Sequence, residues 1–426
     1  MIDPNNNVPR AADTPDTDVA VPAPARGWKP FLILFASLIC IGIGQTLVFA
    51  VLPPAARDLG LSEVQVGTIF TVSAILWMVM APFWGRRSDV VGRRPMILLG
   101  LSGYAVSMTA FAVSLQLGLA GWLGLIPAYV ALIVSRSFYG LLGSAAVPAA
   151  QAYVAERAAP HERGSKLAQL GGAFALGTIV GPAVVAALLG LGLVAPFYAV
   201  GFMAFLGVLA VARGLPEDPR YRLQRVVSEK LSPTDSRVLP FLLIAVAVEL
   251  SQSTAMLTAG FYTMDVLGMS STESARAVGM MLMGTAGAVL FTQMIIIRLL
   301  QPAPRTMIGI GAGVAVLGFL IIVFSRSYPA MFTAMTMLGF AFGMMRPGVM
   351  TGASLAVSLD EQGGVAGLMS STGGTGVILA PFVGMPLYQF LPQGPYMLSL
   401  LLAGGVLASA IMHPRLRAAA ARGAYG

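Results

Sequence analysis

Cysteine, histidine and charged side chains are scarce in this sequence, and each scarcity excludes a class of protein. Cys40 is the only cysteine, so the chain can form neither an intrachain disulfide nor a cysteine metal cluster. His161 and His413 are the only histidines, and because both fall in or beside polar segments we expect no metal site. No Gly-x-x-x-x-Gly-Lys-Ser/Thr segment occurs, so we expect no cofactor of the ATP type and no ATP as energy source.

Charged residues make up 10% of the 426 residues, whereas soluble domains contain about 25%. Hydrophobic residues make up 57%, and the mean hydropathy is +0.81. This composition indicates a polytopic membrane protein in a lipid bilayer and excludes an ordinary soluble enzyme. The formal net charge of +8 would also fit a nucleic-acid partner, but the positions of the cations indicate membrane topology instead.

Twelve apolar runs are long enough to cross a membrane, which takes about 20 helical residues. They predict an all-α fold of twelve transmembrane helices at roughly residues 30–53, 65–84, 95–117, 127–150, 166–189, 194–213, 239–263, 275–298, 306–325, 329–350, 364–390 and 395–412. Residues 1–27 are rich in Asp, Pro, Ala and Asn, which predicts a disordered cytoplasmic tail. We expect no secretory signal there, because the first apolar run is too long for one.

The lysines and arginines are distributed unevenly between the two ends of the predicted helices. If the N-terminus is cytoplasmic, 21 of the 26 cations lie on the cytoplasmic side. Only Arg57, Arg276 and Arg326 lie outside, and Arg136 and Arg346 lie within spans. Because cytoplasmic loops carry most of the Lys and Arg in membrane proteins, we predict a multi-pass protein of the inner (plasma) membrane with both termini in the cytoplasm.

The chain divides into two similar halves joined by a polar segment. Residues 214–237 predict a cytoplasmic linker between bundles at 28–213 and 238–413, with a C-terminal tail at 414–426. Span 1 opens with Pro30-Phe31-Leu32 and span 7 with Pro240-Phe241-Leu242. These repeats predict two pseudo-symmetric six-helix bundles. A shift of 199 residues also aligns spans 4 and 5 with spans 10 and 11, pairing Gly140 with Gly339, Pro148 with Pro347, Glu162 with Glu361, Gly164 with Gly363, Gly177 with Gly376 and Pro182 with Pro381.

A charged, glycine-bracketed segment separates spans 2 and 3. Gly85 and Gly92 enclose Asp89 and two arginines, and Arg93 and Arg94 follow directly. Because so many charges cannot lie in hydrocarbon, we expect a loop at a membrane face. The pattern Gly-x-x-x-Asp-x-x-Gly-Arg-Arg resembles the signature loop between helices 2 and 3 of the major facilitator superfamily. That resemblance implies a twelve-helix secondary transporter that works by alternating access.

Glu249 is the only carboxylate deep inside a predicted span. It lies about 10 residues, or roughly 15 Å, into span 7, and a lone carboxylate at such a depth usually faces a cavity or a partner. Because burial disfavours the charged form of a carboxyl group, Glu249 is our candidate proton carrier. Otherwise it is a protonated carboxyl that bonds a neighbouring helix. Arg136, about nine residues into span 4, lies at a similar predicted depth and is its candidate partner in proton coupling.

Other polar groups inside the spans are candidates for lining a substrate cavity. Gln252 lies one turn from Glu249 on the same helix face, and the remaining candidates are Tyr139, Gln45, Gln293 and Arg346. Each glutamine is equally consistent with packing between helices. Arg346 either lines the inner half of the cavity or extends to the cytoplasmic interface.

Two further motifs are similar to those of the drug:proton antiporter branch of the superfamily. Arg136-x-x-x-Gly140-x-x-Gly143 resembles its helix-4 motif, whose arginine is implicated in proton coupling. Gly177-x-x-x-Gly181-Pro182 resembles its helix-5 motif, although positions 168, 185 and 186 lack the glycines of the family pattern. The helix-5 residues are equally well explained as a small-residue surface for close helix packing.

The loop after span 4 resembles the superfamily as well. It contains Glu156 and Arg163, and the resemblance implies a salt-bridge lock at the inner face with Asp89 and Arg93. A helix N-terminus carries partial positive charge, which would favour docking of Asp89 at the start of span 11. The alternative is a solvated charged loop.

The sequence therefore predicts a proton-coupled exporter, an antiporter, of a small and largely apolar organic compound. It uses no cofactor beyond the proton gradient, is not an enzyme, and functions as a monomer. The rival is a proton symporter that imports a metabolite or siderophore on the same fold. A membrane enzyme and a non-transporting sensor or scaffold are minor alternatives.

Overall fold

The computed structural model describes residues 28–158, 162–216, 232–324, 326–358 and 361–412. The two predicted tails, His161, His413 and most of the predicted linker lie outside the described residues. Within the described ranges all regular structure is helical, and no strand occurs.

Twelve long helices follow one another in the described residues, and each is long and apolar enough to cross a membrane. The twelve predicted spans are therefore confirmed. The helices are α1 Trp28–Asp58, α2 Glu63–Val91, α3 Arg93–Leu119, α4 Leu125–Arg157, α5 Arg163–Leu188, α6 Ala195–Gly214, α7 Leu239–Asp265, α8 Ser271–Leu300, α9 Pro304–Phe324, α10 Tyr328–Leu355, α11 Gln362–Phe390 and α12 Gly394–Met412. A 3₁₀ turn at Gly143–Ala145 interrupts α4, and a π turn at Thr292–Ile296 interrupts α8.

The second helix of each half begins with the same capping arrangement. The Ser62 hydroxyl accepts a hydrogen bond from the Gln65 backbone at the start of α2, and the Gln65 side chain bonds the Ser62 backbone in return. Ser270 and Glu273 form the equivalent capping box at the start of α8. Such a box satisfies backbone donors that a helix N-terminus would otherwise leave unpaired.

The charged segment between spans 2 and 3 is helical, which corrects the expected loop. α2 continues to Val91, α3 begins at Arg93, and only Gly92 separates them. Gly92 has a φ of 111°, a conformation that glycine adopts at little cost. The 29 residues of α2 measure about 43 Å at 1.5 Å per residue, so its charged last turns project beyond a hydrocarbon layer of about 30 Å.

Helices α1–α6 form the N-terminal half and α7–α12 the C-terminal half. We call the end of the bundle that carries Gly92, the last turn of α6 and the first turn of α7 the linker end, and the opposite end the far end. The two halves contact each other at the far end. There Arg57 Nη2 lies 2.6 Å from Asp265 Oδ2, and Gln389 Nε2 donates to Glu63 Oε2 at 3.1 Å.

Toward the linker end, glycines on α5 and α11 face open space. A Cβ added at Gly171 or Gly373 would meet no atom within 4 Å. Nearer the far end the halves are closely packed, and a Cβ added at Gly67 on α2 would lie 2.8 Å from Pro381 on α11. The halves are therefore joined at the far end, whereas these glycines toward the linker end have open space beside them.

Candidate functional site

An ion pair lies within the C-terminal half, where α7 faces α10. Arg346 Nη2 lies 2.5 Å from Glu249 Oε2. The Glu249 side chain is 14% exposed and the Arg346 side chain 46% exposed. The pair borders a cavity of about 200 Å³, so the candidate proton carrier has both a cationic partner and an open space beside it.

One face of each of three helices lines this cavity. The lining residues are spaced by three or four positions, which places them on a common helix face. They are Ala245, Val248 and Glu249 of α7, Arg346, Val349 and Met350 of α10, and Met369 and Thr372 of α11. The Thr372 hydroxyl donates to the Met369 carbonyl of its own helix at 2.7 Å. The cavity therefore combines one acid and one base with largely apolar walls.

Glu249 and Arg346 meet because they lie at the same depth. Glu249 is 10 residues from Leu239 at the linker end of α7, and Arg346 is nine residues from Leu355 at the linker end of α10. At 1.5 Å per residue these distances are about 15 Å and 14 Å. The sequence assigned Arg346 to the cavity but favoured Arg136 as the partner, because predicted span 10 ended at residue 350, whereas α10 continues to Leu355 and places Arg346 deeper.

Arg136 is buried within the N-terminal half and pairs with neutral groups. Arg136 is only 3% exposed, and its Nη2 lies 3.3 Å from Gln45 Oε1. Its guanidinium carbon lies 4.6 Å from the centre of the Tyr139 ring, a distance at which a cation is attracted to an aromatic face. Nε and Nη1 have no hydrogen-bond partner among the described residues. The expected pairing of Arg136 with Glu249 is therefore replaced by contacts with Gln45 and Tyr139.

The depth expected for Arg136 also needs correction. α4 begins at Leu125 and continues to Arg157, so it is longer at both ends than the predicted span. Arg136 is about 16 Å from the far end of its helix and about 31 Å from the linker end. Glu249, at about 15 Å from the linker end, is therefore nearer to that end. The two groups lie at different levels along the bundle.

The remaining glutamine candidates lie in unlike surroundings. Gln252 is half-buried one turn beyond Glu249, and its Oε1 has no hydrogen-bond partner among the described residues. Gln293 is exposed within the π turn of α8 and does not line the described cavity. Of these two glutamines, only Gln252 lies on α7 close to Glu249.

The helix-5 motif packs α5 directly against α1. A Cβ added at Gly177 would lie 2.1 Å from the Ile39 carbonyl oxygen, and one added at Gly181 would lie 3.0 Å from the Ile43 carbonyl oxygen. Pro182 is buried in the same helix, six residues before its end. Small residues at such positions let two backbones approach closely, so the packing interpretation of this motif has a clear structural basis.

The candidate gating residues form an ion cluster at the linker end of the N-terminal half. Arg93 lies 2.6 Å from Asp89 and 2.6 Å from Glu156, and it also bonds the Ser88 hydroxyl. The Glu156 side chain is 2% exposed. Gly85 lies in the last turns of α2, and the Arg163 side chain lies outside the described part of the chain. The cluster therefore ties α2, α3 and the end of α4 together.

A second charged contact lies at the start of α11, where Asp89 was expected to dock. Arg237 Nη2 lies 2.7 Å from Glu361 Oε1 and 2.7 Å from Asp235 Oδ2. The Arg237 guanidinium, together with donors from Ser358, lowers the pKa of Glu361 to about 2. Glu361 therefore stays ionised at neutral pH and is no proton carrier. Docking of Asp89 at α11 stays a prediction.

The far end carries a polar network that the sequence reasoning missed. Arg57 lies 2.7 Å from Glu63 and 2.6 Å from Asp265, and the Tyr388 hydroxyl donates to Asp265 at 2.8 Å. The Ser271 hydroxyl donates to the Asp58 carboxylate. The sequence signal was Arg57, one of only three cations on the side predicted to lie outside. The network holds the two halves together at this end.

Comparisons with known proteins agree with this architecture. Residues 34–381 match the model of the Major Facilitator Superfamily. The quinolone resistance protein NorA of Staphylococcus aureus (strain MSSA476) is 22% identical over 389 residues, which are 89% of this chain and 95% of that protein. The tetracycline resistance protein, class D, of Salmonella ordonez is 34% identical over 160 residues, which are 37% of each chain.

Two solved structures have the same fold. The human organic anion transporter MFSD10 (TETRAN) aligns with a TM-score of 0.63 at 21% identity, covering 90% of this chain and 98% of that one. A bacterial homolog of the human lysosomal transporter Spinster, in an inward-facing and occupied conformation, aligns with a TM-score of 0.66 at 16% identity, covering 92% and 94%. At these identities the likeness concerns the fold alone.

Proposed function

Because this chain belongs to the Major Facilitator Superfamily, a family of non-enzymatic membrane transporters, we propose that it is a proton-driven exporter of a small, largely apolar organic compound. The observation that carries the proposal is the Glu249–Arg346 ion pair beside a cavity with apolar walls. The names of the two resistance proteins support export of organic compounds. The proton gradient supplies the energy, and a single chain suffices.

The orientation of the chain follows from the distribution of its cations. Among the described residues, the linker end carries most of the lysines and arginines, which supports a cytoplasmic linker end in a cell with an inner (plasma) membrane. The far-end contacts then close the outer side, and the described state is open to the cytoplasm. Alternating access requires these contacts to break while the linker ends approach each other.

Proton coupling acts through the charge of Glu249. An ionised Glu249 attracts Arg346, and a protonated Glu249 loses most of that attraction. A bound proton can shift a conformational equilibrium only if it interacts differently with the two states. Because α7 and α10 both belong to the C-terminal half, the pair moves as a unit, and the difference arises from the surroundings of Glu249, which change as the two halves move relative to each other.

The test compares Glu249→Gln with the wild type in vesicles that carry a proton gradient. The glutamine keeps the shape of a protonated carboxyl but cannot release a proton, so gradient-driven movement of a quinolone or a tetracycline should fall to the background. Glu273→Gln is the matched control, because a glutamine preserves the capping box at the far end of α8. Movement of either compound against its gradient by Glu249→Gln would refute the proposal.

Proton symport is the second candidate, and one observation favours it. Deep inside the described spans there are two arginines, Arg136 and Arg346, but only one carboxylate, Glu249. An excess of positive charge suits an anionic compound that travels together with a proton. The direction in which a labelled compound moves under an imposed proton gradient separates import from export.

A further inference from the structure

The two members of the ion pair are held with unequal firmness. Glu249 is 14% exposed, and its backbone is packed against α11, since a Cβ added at Gly376 would lie 2.5 Å from the Glu249 carbonyl carbon. Arg346 is 46% exposed and lies at the end of a long, flexible side chain. When the pair separates, the arginine moves and the carboxylate stays in place.

Separation of the pair uncovers a negative charge rather than a positive one. Arg346 begins about 14 Å from the linker end of α10, and an arginine can extend toward water while its aliphatic part stays along an apolar surface. The carboxylate that it leaves behind borders a cavity whose lining includes Val248, Val349 and Met369. Among the described lining residues, Arg346 is the only other charged group.

We propose that Arg346 is a tethered competitor, which holds the Glu249 carboxylate in the empty carrier and yields it to an organic cation with an apolar body. This inference deepens the proposed function and rests on its assignment of Glu249 as the proton site. Arg346 thereby determines specificity, since a compound without positive charge cannot replace it.

Three cations then occupy the same carboxylate in turn: Arg346, the substrate and the proton. Each occupant neutralises Glu249, so the carboxylate is never buried without a partner, which would be strongly unfavourable. Because substrate and proton exclude each other at one group, binding of one promotes release of the other. Mutual exclusion is the relation that exchange of substrate for proton requires.

The test uses two probes of nearly equal shape and opposite charge, tetraphenylphosphonium and tetraphenylborate. Their binding to the purified full-length protein is measured in detergent near pH 9, where protons compete least. The wild type should bind the phosphonium in preference to the borate. Arg346→Gln should bind the phosphonium about tenfold more tightly, the change that about 1.4 kcal/mol produces. Arg346→Lys keeps a tethered cation and should stay near the wild-type affinity.

The pH dependence provides a readout that a merely structural arginine would not change. Phosphonium affinity should fall as the pH falls in the wild type, because protons compete for Glu249. In Arg346→Gln the fall should begin at higher pH, since the carboxylate has lost its internal partner. Glu249→Gln should bind the phosphonium weakly at every pH. Arg298→Gln, at an exposed position on α8 outside the described cavity, should match the wild type.

Two results would overturn the inference. Borate binding that disappears in Arg346→Gln would make Arg346 the ligand of an anionic substrate. Unchanged phosphonium affinity in Arg346→Gln, with Arg346→Lys also unchanged and both proteins monodisperse, would show that the arginine does not compete. Binding is measured without a gradient, so failure of proton coupling affects only the proposed function.

Discussion

In the N-terminal half α5 packs on α1 through Gly177, and in the C-terminal half α11 packs on α7 through Gly376. Gly177 contacts the backbone of Ile39, whereas Gly376 contacts the backbone of Glu249. The two glycines are repeat equivalents, so the candidate proton carrier occupies a position that is an isoleucine in the other half. Helix packing has been retained in both halves, and the ionisable group occurs in only one.

Two helix ends at the linker end also have the same contact in both halves, although the charges around that contact differ. Arg94 at the start of α3 donates to the Ala212 carbonyl near the end of α6 at 2.5 Å. Arg305 at the start of α9 donates to the Ala410 carbonyl near the end of α12 at 2.7 Å. These matched contacts satisfy carbonyls that a helix C-terminus leaves unpaired. They explain why the second half keeps a basic residue although it lacks the rest of the charged segment.

The charges inside the spans do not follow the repeat. Each has an apolar residue at the equivalent position of the other half: Glu249 with Ile39, Arg346 with Val147, and Arg136 with Met335. A charge within a membrane span is unfavourable, and packing alone does not require it, because the apolar equivalents support the same fold. The departures from symmetry therefore coincide with the candidate proton-coupling and cavity residues, whereas the symmetric glycines lie in helix packing.

Arg93→Ala should lower the stability of the protein most. It disrupts the ion cluster of Arg93, Asp89 and Glu156, which has no equivalent in the described part of the C-terminal half. The change leaves Glu156 buried, with Arg157 3.8 Å away as its remaining ion partner, and should destabilise the protein by about 3–5 kcal/mol. The melting temperature in detergent measures it. Adding Glu156→Leu should restore stability, since Leu355 occupies the equivalent position in the other half. Failure of that second change to restore stability would contradict the ion-pair account, and Arg87→Ala is the exposed control.

Gly177→Ala and Gly376→Ala should have intermediate and similar effects, because they test the shared scaffold. The new methyl group would lie 2.1 Å from a backbone atom of α1 in Gly177→Ala and 2.5 Å from a backbone atom of α7 in Gly376→Ala. Such overpacking lowers the free energy of unfolding by about 1–3 kcal/mol. Thermal unfolding measures both variants, with Gly171→Ala as the control that meets open space. Normal stability of either variant would show that the two helix pairs are not packed alike.

Arg136→Met should have the smallest effect on stability. It installs the residue found at the equivalent position of the other half and removes a buried cation with unpaired donors, and such replacements are neutral or stabilising by about 1 kcal/mol or more. The melting temperature should therefore hold or rise, whereas proton-driven transport should fall. A melting temperature lowered as far as in Arg93→Ala would indicate a purely structural role for Arg136.

Hydropathy was sufficient to predict the twelve helices, and the polar segment at residues 214–237 together with the repeated residues predicted their division into two halves. Each span is a local run of apolar residues, and its insertion depends on that run more than on its neighbours. The charged segment from Gly85 to Arg94 was located correctly and misread as a loop, because the sequence pattern does not show how far a helix projects beyond the membrane. The role of Asp89 as a gate stays a prediction.

The contacts of the ionisable groups were decided by tertiary structure. The sequence placed Glu249, Arg136 and Arg346 inside spans, but which of them meet depends on the length, rotation and order of the helices around the bundle. Arg136 was counted from the start of span 4 at the far end and Glu249 from the start of span 7 at the linker end, so similar counts did not place them at the same level. Insertion into a membrane depends on the apolar residues of each segment by itself. An ion pair depends on two helices that are distant in the chain, and only their packing brings Glu249 to Arg346.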